Sequence, residues 1–123
     1  MYIHEIMSKD IKSIDSNTTV IEACKRFYRN NIGSLVVLDQ GKLKGIITER
    51  DIIARIVILN KDPNMTSVKD IMTSEVITIN QNAKIEDAIK LMNANEIKKL
   101  PVVSDTGSLV GMLTTSDISH VSK

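Results

Sequence analysis

An internal repeat constrains this chain more than any other feature of its sequence. Shifting the 123 residues along themselves by 65 positions, so that Met7 lies over Met72, aligns Ile3–Ser8 with Val68–Thr73. One extra residue near Ser104 changes the offset to 66. The identities that follow are Asp39, Gly41, Leu43, Gly45, Thr48, Asp51 and Ile52 over Asp105, Gly107, Leu109, Gly111, Thr114, Asp117 and Ile118. The chain is therefore one structural pattern written twice.

Each half is predicted to form a strand, a helix, a strand, a tight turn, a strand and a second helix. The first helix of each half has apolar residues at i, i+3, i+4 and i+7, which is the spacing of one buried face. These residues are Val20, Ala23, Cys24 and Phe27 in the first half and Ile85, Ala88, Ile89 and Met92 in the second. The apolar runs Leu35–Leu38 and Leu100–Val103 predict buried strands.

Turn and capping residues recur at matching places. Gly41 and Gly107 each end a short polar turn, where glycine can adopt the positive φ that a tight hairpin requires. Thr48 and Thr114 each precede the second helix of their half, where a hydroxyl can cap free backbone amides. The two halves are thus expected to share their local geometry as well as their element order.

The polar segment Asn60–Asn64, which contains a proline, marks the loop between the halves. We expect a first repeat over residues 1–60, a linker loop over 61–66 and a second repeat over 67–123. A repeat of about 60 residues buries too little surface to be stable by itself. The sheets of the two repeats are therefore expected to pack together in one α/β (α+β) module.

Composition and charge exclude several classes of protein. With 42% hydrophobic and 25% charged residues the chain is globular, and its net charge of +1 gives no field that would attract a polyanion. No apolar run approaches the roughly 20 residues of a transmembrane helix, and the first residues lack the pattern of a signal peptide. We expect a cytoplasmic protein that binds no membrane.

The sequence contains no arrangement typical of catalysis or of metal binding. It has neither a P-loop nor a GxGxxG fingerprint, and no nucleophile, base and orienting group recur together. Cys24 lies on an apolar helix face and is expected to be structural, while His4 and His120 have no second ligand at suitable spacing. Acidic residues are interspersed with the basic clusters, which argues against a nucleic-acid interface. No enzyme activity, catalytic cofactor or metal is expected.

The segments Gly41–Ile52 and Gly107–Ile118 resemble the signature of the CBS domain family, and so do the opening Asp70–Met72 and the strand Leu100–Val103. The resemblance covers nearly the whole chain and is that of a stand-alone tandem CBS pair, or Bateman module. It implies two pseudo-twofold-related β-α-β-β-α repeats packed through their sheets. It also implies two clefts between the repeats that hold adenosine nucleotides, and a disk-like homodimer.

In the family the Asp that closes Thr-x-x-Asp holds the ribose hydroxyls, and a carboxylate can indeed accept both hydrogen bonds of a cis-diol. Carried over, one cleft is expected to use Thr18, Ala23, Ile32, Lys98, Thr114, Ser116 and Asp117. The other is expected to use Gly33, Thr48, Arg50, Asp51, Ala83, Ala88 and Ile97. Lys98 and Arg50 would suit a phosphate. Because Thr18 corresponds to Ala83, the Asp117 cleft is expected to be slightly the better site.

The resemblance implies a non-catalytic regulatory module that binds AMP, ADP, ATP or a relative such as S-adenosylmethionine or NAD. It would signal to an effector protein through a conformational or oligomeric change. One alternative is a ligand-free dimerisation or docking protein, and another is a nucleic-acid-binding accessory protein. Asp51 and Asp117 also have a simpler interpretation as first-turn carboxylates, with Thr48 and Thr114 as caps alone.

Overall fold

The computed structural model describes residues 1–121, which divide into two units. The first unit is Lys12–Val76, and the second combines Met1–Ile11 with the chain from Ile77 onward. Each unit contains a three-stranded sheet and two helices. The predicted β-α-β-β-α order of both repeats is confirmed.

The first unit contains the sheet β1-β2-β3, in which β2 is parallel to β1 and antiparallel to β3. Its elements are β1 (Ser13–Asp15), α1 (Val20–Asn30), β2 (Ser34–Asp39), β3 (Lys42–Thr48), α2 (Glu49–Ile52), a π-helical continuation over Ile53–Val57, and a 3-10 turn over Val68–Asp70. Gly41, between β2 and β3, has the predicted positive φ of 78°.

The second unit repeats this arrangement in the sheet β4-β5-β6, with β4 parallel and β6 antiparallel to β5. Its elements are a 3-10 turn over Ile3–Glu5, β4 (Ile79–Asn80), α3 (Ile85–Asn95), β5 (Lys99–Val103), β6 (Leu109–Thr114) and α4 (Thr115–Val121). Gly107 has a φ of 83°, matching Gly41. No helix within residues 1–121 has the length and apolar content needed to cross a bilayer.

Each unit joins the opening segment of one repeat to the body of the other. The backbones of Ser8 and Met112 exchange two hydrogen bonds of 2.9 Å, and those of Thr73 and Ile46 do the same. The repeats proposed from the sequence are residues 1–60 and 67–123, joined by a linker over residues 61–66. These bounds follow the repeated sequence pattern. The structural units instead group residues 1–11 with the second repeat and the segment before Ile77 with the first.

Each unit has its own apolar core, built from the predicted helix faces and strands. In the first unit the core consists of Ile14, Val20, Ala23, Phe27, Leu35, Val37, Ile47, Ile56, Val68 and Ile71. In the second it consists of Ile3, Ile79, Ile85, Ala88, Met92, Leu100, Val102, Leu113 and Ile118. The predicted faces of α1 and α3 are thus buried, apart from Cys24, which is half-buried, and Ile89, which is 38% exposed.

Candidate functional site

Thr48 and Asp51 form a reciprocal hydrogen-bonded box where β3 meets α2. The Thr48 N–H and hydroxyl donate to Asp51 Oδ2 over 2.9 and 3.1 Å, and the Asp51 N–H donates to Thr48 Oγ1 over 3.1 Å. This is a capping box, in which the two side chains satisfy backbone donors that the helix start leaves free. The box fixes the carboxylate at the end of the strand.

The second unit repeats this box at Thr114 and Asp117, where β6 meets α4. The Thr114 N–H and hydroxyl donate to Asp117 Oδ2 over 2.9 and 3.0 Å, and the Asp117 N–H donates to Thr114 Oγ1 over 3.2 Å. The predicted capping roles of both threonines are therefore present in the structure. Capping leaves the other carboxylate oxygen, Oδ1, available for other partners.

The two boxes differ at this second oxygen. Asp51 Oδ1 accepts a hydrogen bond from the Thr73 hydroxyl over 3.2 Å, and Asp51 is only 8% exposed. Asp117 is half-buried, and its Oδ1 has no hydrogen-bond partner among residues 1–121. Ser8, which the repeat places opposite Thr73, instead accepts a hydrogen bond from the Asp10 N–H over 3.2 Å. The Asp117 carboxylate is the more accessible of the two.

A cavity of about 340 Å³ lies beside the Asp117 box, entirely within the second unit. Its size falls within the range of small-molecule sites. It is lined by Glu5, Ile6, Ser116, Asp117, His120 and Val121. Two of the predicted site residues, Ser116 and Asp117, therefore share one cavity, which also holds a second carboxylate, that of Glu5.

A larger cavity of about 490 Å³ lies in the first unit between the end of α1 and the start of α2. It is lined by Cys24, Phe27, Tyr28, Asn31, Ile32, Gly33, Glu49, Ile52 and Ile53. Two predicted residues, Ile32 and Gly33, belong to it, and a Cβ on Gly33 would lie 2.6 Å from Glu49 Oε1. Asp51 is not among its lining residues, so the equivalent carboxylate does not face this cavity.

The remaining predicted residues are distributed over both units. Ala23 and Ala88 are fully buried in the two cores, so the structure gives their side chains no surface for a ligand. Lys98 and Arg50 are exposed and line neither cavity. The half-buried residues Thr18, Ala83 and Ile97 complete the set.

Sequence reasoning missed several residues at these sites, among them three polar ones that lie near the two boxes. Thr73 contacts Asp51, and Glu5 and His120 line the Asp117 cavity. Thr73 and Glu5 come from the opening segments of the repeats, far along the chain from the boxes they approach. For Thr73, the only sequence signal was its alignment with Ser8. That alignment did not indicate which element the hydroxyls of Thr73 and Ser8 contact.

Cys24 lies on the predicted apolar face of α1, and both His4 and His120 are exposed. Cys24 is half-buried against the first core, and burial raises the pKa of its thiol, which keeps it protonated. No cluster of three or more potential metal ligands exists in the part of the chain that the structure describes, residues 1–121.

The model of the CBS domain matches this chain twice, over residues 3–58 and 68–123. Protein MK0525 of Methanopyrus kandleri is 33% identical over 97% of this chain, which spans 61% of that protein's length. The CBS domain-containing protein YhcV of Bacillus subtilis is 33% identical over 95% of this chain, and the match covers 82% of YhcV. An inosine-5′-monophosphate dehydrogenase of Methanocaldococcus jannaschii is 36% identical over 93% of this chain, but only 22% of the enzyme is matched.

Solved structures of CBS domain proteins are also similar to this chain. The CBS domain pair of protein MJ0100, in complex with 5′-methylthioadenosine and S-adenosyl-L-methionine, is similar with a TM-score of 0.82 and 34% identity over the whole of both chains. The CBS domain protein TA0289 of Thermoplasma acidophilum has a TM-score of 0.85 and 30% identity over 98% of this chain and 68% of its own. Both similarities extend over nearly the full length of the present chain.

Proposed function

Because the chain belongs to the CBS domain family, as a tandem pair of repeats, we propose that it is a non-catalytic regulatory module that binds an adenosine-type ligand. The ligand class includes AMP, ADP, ATP, NAD, S-adenosylmethionine and simple adenosine compounds. Binding shifts the conformation or oligomeric state of the module, and an effector protein responds to that shift.

The single observation that carries this proposal is the Asp117 carboxylate. Its Oδ2 is held by Thr114, its Oδ1 has no partner within residues 1–121, and it lines a 340 Å³ cavity. A carboxylate held in place with one oxygen available is suited to accept hydrogen bonds from the cis-diol of a ribose. Ser116 adds a hydroxyl to the same cavity.

The other family positions are proposed to complete the recognition of the ligand. Thr18, Ile32 and Lys98 are assigned to the same ligand as Asp117, and Gly33, Arg50 and Ile97 to the ligand of Asp51. The hydroxyl of Thr18 has no counterpart at Ala83, which favours the Asp117 site for base or ribose recognition. The ligands bound by the MJ0100 CBS pair support an adenosine compound as the occupant.

The regulatory output is limited by the energetics of binding. A ligand can shift a conformational equilibrium only by the difference between its affinities for the two conformations. The proposed module therefore needs a geometry of the chain, or of its dimer, that binds the adenosine compound better than the other geometry does. The effector protein would recognise one of these two geometries.

Thermal unfolding with a panel of ligands tests the proposal. AMP, ADP, ATP, NAD and S-adenosylmethionine are added at about a hundred times a plausible dissociation constant, with GTP as the control. A ligand that binds only the native state should add roughly 2.7 kcal/mol to the free energy of unfolding. Stabilisation by one or more adenosine compounds and none by GTP supports the proposal, and no stabilisation by any of them contradicts it.

A second candidate function, docking or dimerisation, is favoured by an apolar surface on the first unit. Val57, Ile58 and Leu59, at the end of the π-helical segment, are 66%, 71% and 58% exposed. Apolar side chains exposed next to one another are typical of protein-protein contacts. Sedimentation of the wild type and of Ile58→Glu would test this function, since a dimer formed through this surface should dissociate in the variant.

A further inference from the structure

The two Asp boxes differ in how many hydrogen bonds their carboxylates can still accept. An ionised carboxylate offers about four lone-pair directions. Asp51 already accepts three hydrogen bonds, from the Thr48 N–H, the Thr48 hydroxyl and the Thr73 hydroxyl. Asp117 accepts only two within residues 1–121, both from Thr114.

This difference matters because a cis-diol donates two hydrogen bonds. Asp117 can accept both on its unoccupied oxygen while it keeps its bonds to Thr114. Asp51 can accept about one further hydrogen bond while the Thr73 hydroxyl donates to Oδ1. A ribose that binds Asp51 through both hydroxyls must therefore displace Thr73.

The Thr73 side chain can move without its segment. The Thr73 backbone is held by two hydrogen bonds to Ile46, each of 2.9 Å, and neither involves the hydroxyl. The guanidinium of Arg55 holds the preceding carbonyls of Ile71 and Met72 over 2.8 and 2.9 Å. Since Thr73 is exposed, rotation about χ1 can turn its hydroxyl from Asp51 toward water.

We infer that Thr73 makes the two carboxylate sites unequal, so that ribose binds first at Asp117 and at Asp51 only when the Thr73 hydroxyl turns away. The inference rests on the proposed function and adds the residue that controls occupancy of the second site. The repeat supplies its own comparison, because Ser8 stands opposite Thr73 and makes no hydrogen bond to Asp117 within residues 1–121.

Isothermal titration of the full chain with adenosine tests this inference in four proteins. Thr73→Val removes the hydroxyl while it keeps the shape of the side chain, and Thr73→Ser keeps the hydroxyl. Ser8→Ala is the matched control at the equivalent position. The backbone hydrogen bonds between Thr73 and Ile46 do not involve the Thr73 side chain, so both Thr73 variants are expected to keep them and to fold.

The wild type is expected to bind one adenosine at a stronger site and a second at least about ten-fold more weakly, since a hydrogen bond to a charged group has roughly this effect. Thr73→Val should strengthen only the second site, by about ten-fold, whereas Thr73→Ser and Ser8→Ala should titrate like the wild type. In a fifth protein, Asp117→Ala, the stronger site should be lost.

Two equal sites in the wild type, or a second site that Thr73→Val leaves unchanged, would overturn the inference and leave the proposed function standing. The absence of adenosine binding in all four proteins would overturn the proposed function, and the inference with it. The two failures are therefore distinguishable in the same experiment.

Discussion

Gly45 lies directly against Met72, and a Cβ at position 45 would be 2.6 Å from Met72 Sδ and 2.7 Å from the Thr73 carbonyl oxygen. Distances below 3.0 Å are essentially never seen for a real Cβ. Gly111 is in the same position against Met7 and the Ser8 carbonyl, at 2.6 and 2.9 Å. In each repeat, a glycine in a strand thus allows the opening segment of the other repeat to pack closely against that strand.

Gly45→Ala should therefore release the segment around Thr73. A Cβ that meets backbone forces a shift, and overpacking of this kind costs about 1–3 kcal/mol. We expect the free energy of unfolding to fall by this amount, and hydrogen exchange to lose protection at the Ile46 and Thr73 amides.

Gly41→Ala is the control for this variant. Position 41 has open space around it but a φ of 78°, so alanine there strains the turn without touching the Thr73 segment. In Gly41→Ala, the Ile46 and Thr73 amides should lose no more hydrogen-exchange protection than the change in global stability accounts for. Preserved protection of these amides in Gly45→Ala would contradict the role assigned to Gly45.

Asp51→Ala should destabilise the chain more than Asp117→Ala does. Both variants lose the carboxylate of a capping box, which costs about 0.5–2 kcal/mol. Asp51 is also buried and holds the Thr73 hydroxyl, so its loss removes a third charge-assisted hydrogen bond. We expect a further cost of roughly 1–2 kcal/mol for Asp51→Ala.

Urea unfolding of both variants without ligand measures this difference. Thr73→Val, added to each Asp variant, isolates the contribution of the third hydrogen bond. It should cost less in the Asp51→Ala background, where the bond is already absent, than in the Asp117→Ala background. Equal costs for the two Asp variants would contradict the assigned inequality of the boxes.

Cys24 should react slowly with thiol reagents in the native state. Burial raises the pKa of its thiol, so less of the reactive thiolate is present at a given pH than in the unfolded chain. At pH 8 the native protein should react with a disulfide reagent more slowly than the denatured protein, and its rate should rise only at higher pH. Cys24→Ser provides the blank, and equal native and denatured rates would contradict the prediction.

The charge of the ligand should affect binding at Asp117. The cavity is lined by the carboxylates of Glu5 and Asp117, and Lys98 does not line it. Like charges repel and salt screens the repulsion. Adenosine and S-adenosylmethionine should therefore bind more tightly than ATP at low ionic strength, with a smaller difference at high salt.

Glu5→Gln tests this prediction, since it should improve the binding of ATP relative to that of adenosine. Competition of each compound against a fluorescent adenosine derivative gives the affinities. If ATP binds most tightly at low salt, the result would favour the phosphate role predicted for Lys98 over repulsion by the cavity.

Local sequence patterns predicted much of the fold because local physics determined it. The apolar spacing of Val20, Ala23 and Phe27 predicted the buried face of α1, and the glycines at 41 and 107 have the positive φ that their turns required. Thr48 and Thr114 were predicted as caps, and both accept hydrogen bonds from the following Asp amide. Each of these features depends on residues close together in the chain.

The features that the sequence did not predict depend on distant segments. Whether Thr73 contacts Asp51 is decided by which sheet the opening segment pairs with, and periodicity carries no information about that pairing. The π-helical turn over Ile53–Val57 contacts the same distant segment, because Arg55 within it donates hydrogen bonds to the Ile71 and Met72 carbonyls. The repeat predicted two similar carboxylates, and the structure shows that their surroundings differ.

The central claim is that Asp117 recognises the cis-diol of an adenosine compound, and comparing adenosine with 2′-deoxyadenosine tests it most directly. The affinities of both for the wild type, Asp117→Ala and the control Asp39→Asn are measured by isothermal titration. The wild type and Asp39→Asn should prefer adenosine at their stronger site by about ten-fold or more, and Asp117→Ala should lose that site, leaving only the weaker binding at Asp51. A stronger adenosine site that persists in folded Asp117→Ala would contradict the account.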